Sequence, residues 1–248
     1  MSRQGIVVCR SSDRFLTRAE GMQTRHSFSF GDHYDPANTS CGLLVAHNDE
    51  ILQPGKGYPM HLHRDLEIVT WVMSGALMHE DSTGSRALVR PGEVLRLSAG
   101  RGVEHAEFAD RAAGATRFVQ MWLSPAWGSE GNDPEIDCAA VRPGLRQGLP
   151  AVVVSGDMTR LGEGGLSIAQ PGATLQVVRL ESGERLALPA VPFMHVFVAL
   201  GSVTLLNQER AADVLETGDA VRLTGVARAE LEGQLAAEVL IWEMHSER

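Results

Sequence analysis

The sequence predicts an all-β protein built from two small barrels in tandem, and three observations carry that expectation. Short segments rich in β-branched and aliphatic residues, such as "LEIVTWVMSG", "RALVRPGEVLRLSAG" and "RFVQMWLSP", are separated by Gly, Pro, Asp and Ser, the pattern of short strands and their turns. A part of this pattern occurs twice. Helical patterning is weak, with short candidates only around "DPEIDCAAV" and at the C-terminal end.

Taken in order, "LEIVTWVMSG" reads as a strand ending at Gly75, and "EDSTGS" has the Asp, Ser and Gly of a tight hairpin turn. "RPG" before Glu93 marks the next turn, "EVLRLSAG" the next strand, and "RFVQMWLSP" closes the first copy. Shifting the chain by 126 residues lays "PGEVLRLSAG" (91–100) over "TGDAVRLTGV" (217–226), matching Gly92 with Gly218, Glu93 with Asp219, Arg96 with Arg222 and Leu97 with Leu223. The same offset pairs "WVMSGALM" around Gly75 with "FVALGSVTL" around Gly201, and a small gap brings "FVQMWL" onto "EVLIWEM". Two copies of one β unit, each of about 100 to 120 residues, account for most of the chain.

Composition narrows the function classes. The net charge is −9 and the basic residues are scattered, which disfavours direct nucleic-acid binding. No run approaches the roughly 18 apolar residues that cross a bilayer, so no membrane partner is expected. The N-terminal "MSRQGIVVCRSSDRF" has no apolar signal core, and the expected location is the cytoplasm. Cys9, Cys41 and Cys138 are far apart with no CxxC spacing, as free thiols in a reducing compartment would be.

The chemistry gathers in "HLHRDLE" (61–67) and "GRGVEHAEF" (100–108). Side chains alternate along a strand, so one continuous strand would put His61, His63, Asp65, Glu67, Val69, Trp71 and Met73 on a single face. His105 and Glu107 form a second pair at spacing two. Two neighbouring strands could then converge on one ion with three imidazoles and a carboxylate, either Glu67 or Glu107. Imidazole with carboxylate suits divalent iron or manganese and leaves room for an organic chelate and dioxygen, whereas structural zinc more often uses cysteine. At offset 126 the positions of His61, His63, His105 and Glu107 fall on Ala187, Pro189, Leu231 and Gly233. One metal site per chain, in the first half, is therefore expected.

The blocks "HSFSFGDHYDP" (26–36), "HLHRDLEIVTWVMSGALMHEDSTG" and "RPGEVLRLSAGRGVEHAEF" together resemble the pirin family, and particularly its short bacterial members with quercetin 2,3-dioxygenase activity. The strong similarity covers about residues 20 to 125. The resemblance implies a bicupin of two jelly-roll type cupin β-barrel domains, here 1–137 with the metal and 138–248 without it. It also implies Fe(II) held by His61, His63, His105 and Glu107, with Glu67 an outer partner that bonds a ligand or a neighbouring strand. This chain departs from the family's PHPH in reading Met60, His61, Leu62, His63.

The activity so implied is opening of the heterocycle of a flavonol such as quercetin by O2 with release of CO, Glu107 taking the proton of the 3-hydroxyl. Trp71 and Met73 would line an apolar slot for the flat ring if they face inward. The alternative is a non-catalytic, redox-responsive iron protein that binds a transcription factor or metabolic enzyme, and a sugar isomerase is a weaker third reading. A monomer is expected. His26 and His33 are expected to cover the cavity mouth in a structural role, His79 to be exposed beside the "EDSTG" turn, and His195 to align with Val69. Arg101 is expected to balance charge near the mouth or cap its turn. Gly100 and Gly102 are expected to allow a sharp turn before His105.

Overall fold

The computed structural model describes residues 5–129, 131–141, 145–208 and 211–247. Among these residues the regular structure is strand, interrupted only by short 3-10 turns at Ser11–Asp13 and Met158–Arg160. Both helix candidates are strands. Glu135–Ala140 is β12, held by pairing along β9 (Glu93–Ser98), and the C-terminal segment is β20 (Ala229–Met244). Tertiary pairing overrides a weak local preference there. No helix is long and apolar enough to cross a membrane among the described residues.

Two large sheets repeat one order. The first runs through β12, β9, β6 (Glu67–Ser74), β11 (Thr116–Leu123), β4 (Leu44–Leu52), β3 (Met22–His26) and β2 (Phe15–Ala19). In the second, β19 (Ala220–Thr224), β17 (Phe193–Leu206), β20 and β15 (Ala173–Leu180) take the places of β9, β6, β11 and β4, as the internal repeat predicts. The repeat-matched Gly75 and Gly201 have φ of +73° and +75°. A Cβ on Gly201 would meet the Ala236 carbonyl oxygen, so both copies need glycine where the strand leaves the large sheet.

The N-terminal strand crosses to the second unit. β1 (Gly5–Cys9) pairs with β19 of the second sheet, at the edge position that β12 fills beside β9 in the first. A boundary after residue 137 therefore cuts through β12, because strand pairing rather than chain position decides which sheet a segment joins.

A smaller sheet, β5 (Gly57–His63), β10 (Val103–Ala109), β7 (Leu77–Asp81) and β8 (Arg86–Val89), closes the first barrel over a core that includes Ile68, Val72, Leu77, Leu97 and Phe118. In the second unit the long strands β17 and β20 continue past register shifts to pair with β18 (Asp213–Glu216) and β16 (Arg185–Leu188), and this barrel is filled by aliphatic residues. The two large sheets pack on each other through Val69, Trp71, Met121, Phe197, Leu240 and Trp242. At about 25 cal/mol per Å2 of apolar area removed from water, such fully buried side chains bind the two barrels into one body.

Candidate metal centre

The strand through "HLHRDLE" is broken. β5 ends at His63 in the small sheet and β6 begins at Glu67 in the large one, with Asp65 between them at φ +51°. The single face expected from His61 to Met73 therefore does not exist. Trp71 is fully buried between the two large sheets, where its indole N–H donates to Glu238 at 2.9 Å, and Met73 packs against the same core. Neither lines the histidine cluster. Glu67 turns toward β9, accepts from the Ser98 hydroxyl at 2.7 Å, and lines a separate cleft of about 460 Å3 with Arg96 and Ser98.

The β5–β10 pairing brings the two motif pairs together. Its register sets His61 opposite His105 and Tyr58 opposite Glu107, with an irregularity between the two pairs. Ring centroids of His61, His63 and His105 are 4.8, 4.5 and 4.9 Å apart, and one ligating atom from each lies within 4.8 Å of the others. A second group of the same tightness joins His105 and Glu107 to His79. His79, expected at the surface, is 2% exposed, because β7 pairs with β10 and sets His79 across from Glu107.

The free atoms of this cluster suit a cation. His63 Nε2, His105 Nε2 and Glu107 Oε1 are buried with no hydrogen-bond partner, and buried polar atoms are rarely left so. The neighbouring bonds already orient them. His61 donates through Nδ1 to the Pro59 carbonyl at 2.8 Å, which leaves its Nε2 lone pair available. Nδ1 of His105 lies 3.4 Å from Nδ1 of His79, and Nε2 of His79 lies 3.5 Å from the Asp81 carboxylate. A His105 ligating through Nε2 carries its proton on Nδ1, and the chain to Asp81 accommodates that tautomer.

The electrostatics point the same way. Burial, with the neighbouring His61, pushes His63 down to about 4, and burial pushes His105 further down. These imidazoles are neutral at physiological pH, as ligands must be. Burial raises Glu107 to about 7 against the Gln120 hydrogen bond, with Glu50 raising it further. Glu50 is also raised to about 7 by burial, although the Thr24 and Tyr58 hydroxyls donate to it at 2.5 and 2.7 Å. Two buried carboxyl groups held near neutrality by desolvation would ionise readily beside a divalent charge.

Glu50, Tyr58, Gln120 and Trp122 were not anticipated from motif spacing. Gln120 donates to Glu107 at 2.7 Å and accepts from Trp122 at 3.0 Å, while Trp122 meets His63 edge-on at 4.9 Å between centroids. The signal available was the polar run "HNDE" inside a strand, since His47, Asn48, Asp49 and Glu50 are all buried. His26 bonds Thr17 and Asn48 and stacks on Phe30, His33 stacks on Phe15, and Arg101 pairs with Asp133. His195 lies between the large sheets. In the second barrel Leu231, matched to His105, stands opposite Leu186, while Ala187, matched to His61, stands opposite Glu230.

Fold and site first define a class: a two-barrel cupin whose first barrel carries a histidine–carboxylate cluster of metal-ligating type. The family model described as Pirin matches residues 9–123. The chain belongs to the pirin family. A Mycobacterium tuberculosis protein provisionally named a quercetin 2,3-dioxygenase is 42% identical over 244 residues, covering 97% of this chain and 96% of its own. The Escherichia coli protein named quercetin 2,3-dioxygenase is 36% identical over 120 residues, 48% of this chain and 52% of its own. Among solved structures, the E. coli pirin YhhW in complex with nickel(II) superposes with a TM-score of 0.86 at 24% identity, over 98% of this chain and 100% of that one.

Proposed function

We propose that this protein is an iron-dependent dioxygenase that opens the heterocycle of a flavonol such as quercetin and releases CO. The observation that carries the metal part is that His61, His63 and His105 bring one ligating atom each within 4.8 Å of one another, that Glu107 does the same with His105 and His79, and that His63 Nε2, His105 Nε2 and Glu107 Oε1 are buried and partnerless. The names of its relatives supply the substrate class. In this reading the first barrel carries the centre with His61, His63, His105 and Glu107 as ligands, and the second barrel, whose sheet takes in β1, is metal-free.

When bound, Fe(II) supplies Lewis acidity and one-electron chemistry toward O2. The protein's own groups do the rest. Glu107, raised toward neutrality by burial, would accept the proton of the flavonol 3-hydroxyl. Gln120 and Trp122 keep the carboxylate aimed. Overall, both atoms of O2 enter the ring-opened ester, two carbon–carbon bonds of the heterocycle break, and the carbon between them leaves as CO.

The test is anaerobic reconstitution with Fe(II), then addition of quercetin and air, following flavonol absorbance and CO, with Glu107→Ala in parallel. CO release that the variant abolishes is the expected result. No CO from fully metallated protein would overturn the dioxygenase and leave a redox-responsive binding protein as the reading of the same site.

A further inference from the structure

Away from the metal centre, the contact between the two large sheets contains a second cluster of polar groups. On β4 the side chains alternate: Asn48 and Glu50 bond within the first unit, to His26, Thr24 and Tyr58, while His47 and Asp49 turn toward the second sheet. His47 and His195 are both 0% exposed, with ring centroids 4.5 Å apart. Arg14 enters where the chain crosses from β1 in one sheet to β2 in the other. It is 8% exposed and lies 5.1 Å from the Phe197 ring centroid. Arg222, on β19 beside His195 in register, stacks 4.4 Å over Phe28.

Arg222 donates through Nη2 to the Ser27 carbonyl at 2.6 Å and Nδ1 of His47 lies 3.2 Å from the Ser27 hydroxyl, but other buried polar atoms of these groups have no partner. Nε, Nη1 and Nη2 of Arg14 have no hydrogen-bond partner, nor have Nε of Arg222, Nε2 of His47 or either ring nitrogen of His195. A guanidinium can only donate, and a neutral imidazole always carries one N–H. The nearby acids are engaged elsewhere. Both oxygens of Asp49 hold Arg117, at 2.9 and 2.8 Å, and Asp219 accepts from Arg10 and from the Ser11 and Glu216 amides. Among the described residues neither Arg14 nor Arg222 has a carboxylate in ion-pair contact.

Water would satisfy such donors but would add no charge beside the buried guanidinium of Arg14 and the half-buried one of Arg222, and Asp49 and Asp219 reach Arg14 only through space. A metal cation is disfavoured by the same charges. The surroundings, Phe28, Cys41 and Phe197, are at most 5% exposed, which admits only a small guest. We propose that Arg14, Arg222, His47 and His195 form a closed binding site for a small inorganic anion, of the phosphate or halide type, that links the first barrel to the second. Guanidinium and imidazole N–H groups converging from β4, β17, β19 and the crossover suit an oxyanion best.

The experiment uses the full chain, desalted and then denatured, with ion chromatography of what is released. In parallel, inorganic phosphate and chloride are each titrated into the folded chain by calorimetry and thermal melting. Arg14→Met, His195→Phe and His63→Ala are compared with the unsubstituted protein. The expected result is about one anion per chain, either co-purifying or bound on titration. Binding weakens about tenfold or more in Arg14→Met and His195→Phe, the loss of roughly one charge-assisted bond, and is retained in His63→Ala. Whether phosphate or chloride saturates identifies the guest. Neither stoichiometric release nor saturable binding, or binding equal in all variants, would overturn the site and leave the cluster filled by water alone.

Discussion

Gln120 donates through Nε2 to Oε2 of Glu107 at 2.7 Å, and the other carboxylate oxygen, Oε1, is buried with no partner. One oxygen is thus held by the protein and the other is free beside His105 and His79, with which Glu107 forms one group. Replacing Gln120 by Leu removes the holding bond and leaves the carboxyl free to rotate. Metal affinity should fall by about 10-fold or more, and the Glu107 pKa should rise, since that bond is what lowers it. Competition against a chelator reads the first and carboxyl NMR of the metal-free chain the second.

Metal binding should release protons in one pH range only. His63 and His105 are held neutral by burial, so they lose no proton on ligation near neutrality. Glu107, raised to about 7, is protonated below that pH in the metal-free chain and must ionise. Calorimetry at pH 6 in buffers of different ionisation enthalpy should show about one proton released per ion, falling away above pH 8, with affinity dropping about tenfold per pH unit below 7. Glu107→Gln should abolish the release. A release that persists in the variant would assign the proton to Glu50 or a histidine.

His79 acts through His105. The contact of their Nδ1 atoms and the bond onward to Asp81 would leave Nε2 of His105 as the nitrogen an ion meets, while Asp81 is itself tied by the Thr83 and Ser85 amides. His79→Phe keeps the volume and removes the bond. Affinity should fall about 10- to 100-fold, and imidazole 15N shifts should show His105 losing its single tautomer. A variant that binds metal normally with one His105 tautomer would make His79 a packing residue.

Trp71 belongs to the junction of the barrels. Trp71→Ala should cost about 3–5 kcal/mol in denaturant unfolding, because the side chain is fully buried, whereas Leu62→Ala, 60% exposed on β5, should change stability by less than about 0.5 kcal/mol. Trp71→Phe should leave metal affinity unchanged, since the indole bonds Glu238 and touches none of the four proposed ligands.

Legibility followed the range of the interaction. The strands, their turns, the duplicated unit and the period-two pairs His61/His63 and His105/Glu107 are local patterns, set by the alternation of a pleated backbone and by glycines such as Gly75 and Gly201 that the chain needs in order to turn. The sequence alone therefore determined an all-β duplicated protein with a histidine–carboxylate set in its first half. Tertiary structure decided the rest. Whether residues 61–73 form one strand or two depended on which sheets β5 and β6 joined, and that moved Trp71 and Met73 to the barrel junction. The burial of His79, the grip of Gln120 on Glu107 and the meeting of Arg14 with His47 and His195 arise between residues distant along the chain. Strand register and sheet packing bring such residues together, and no local periodicity records those pairings.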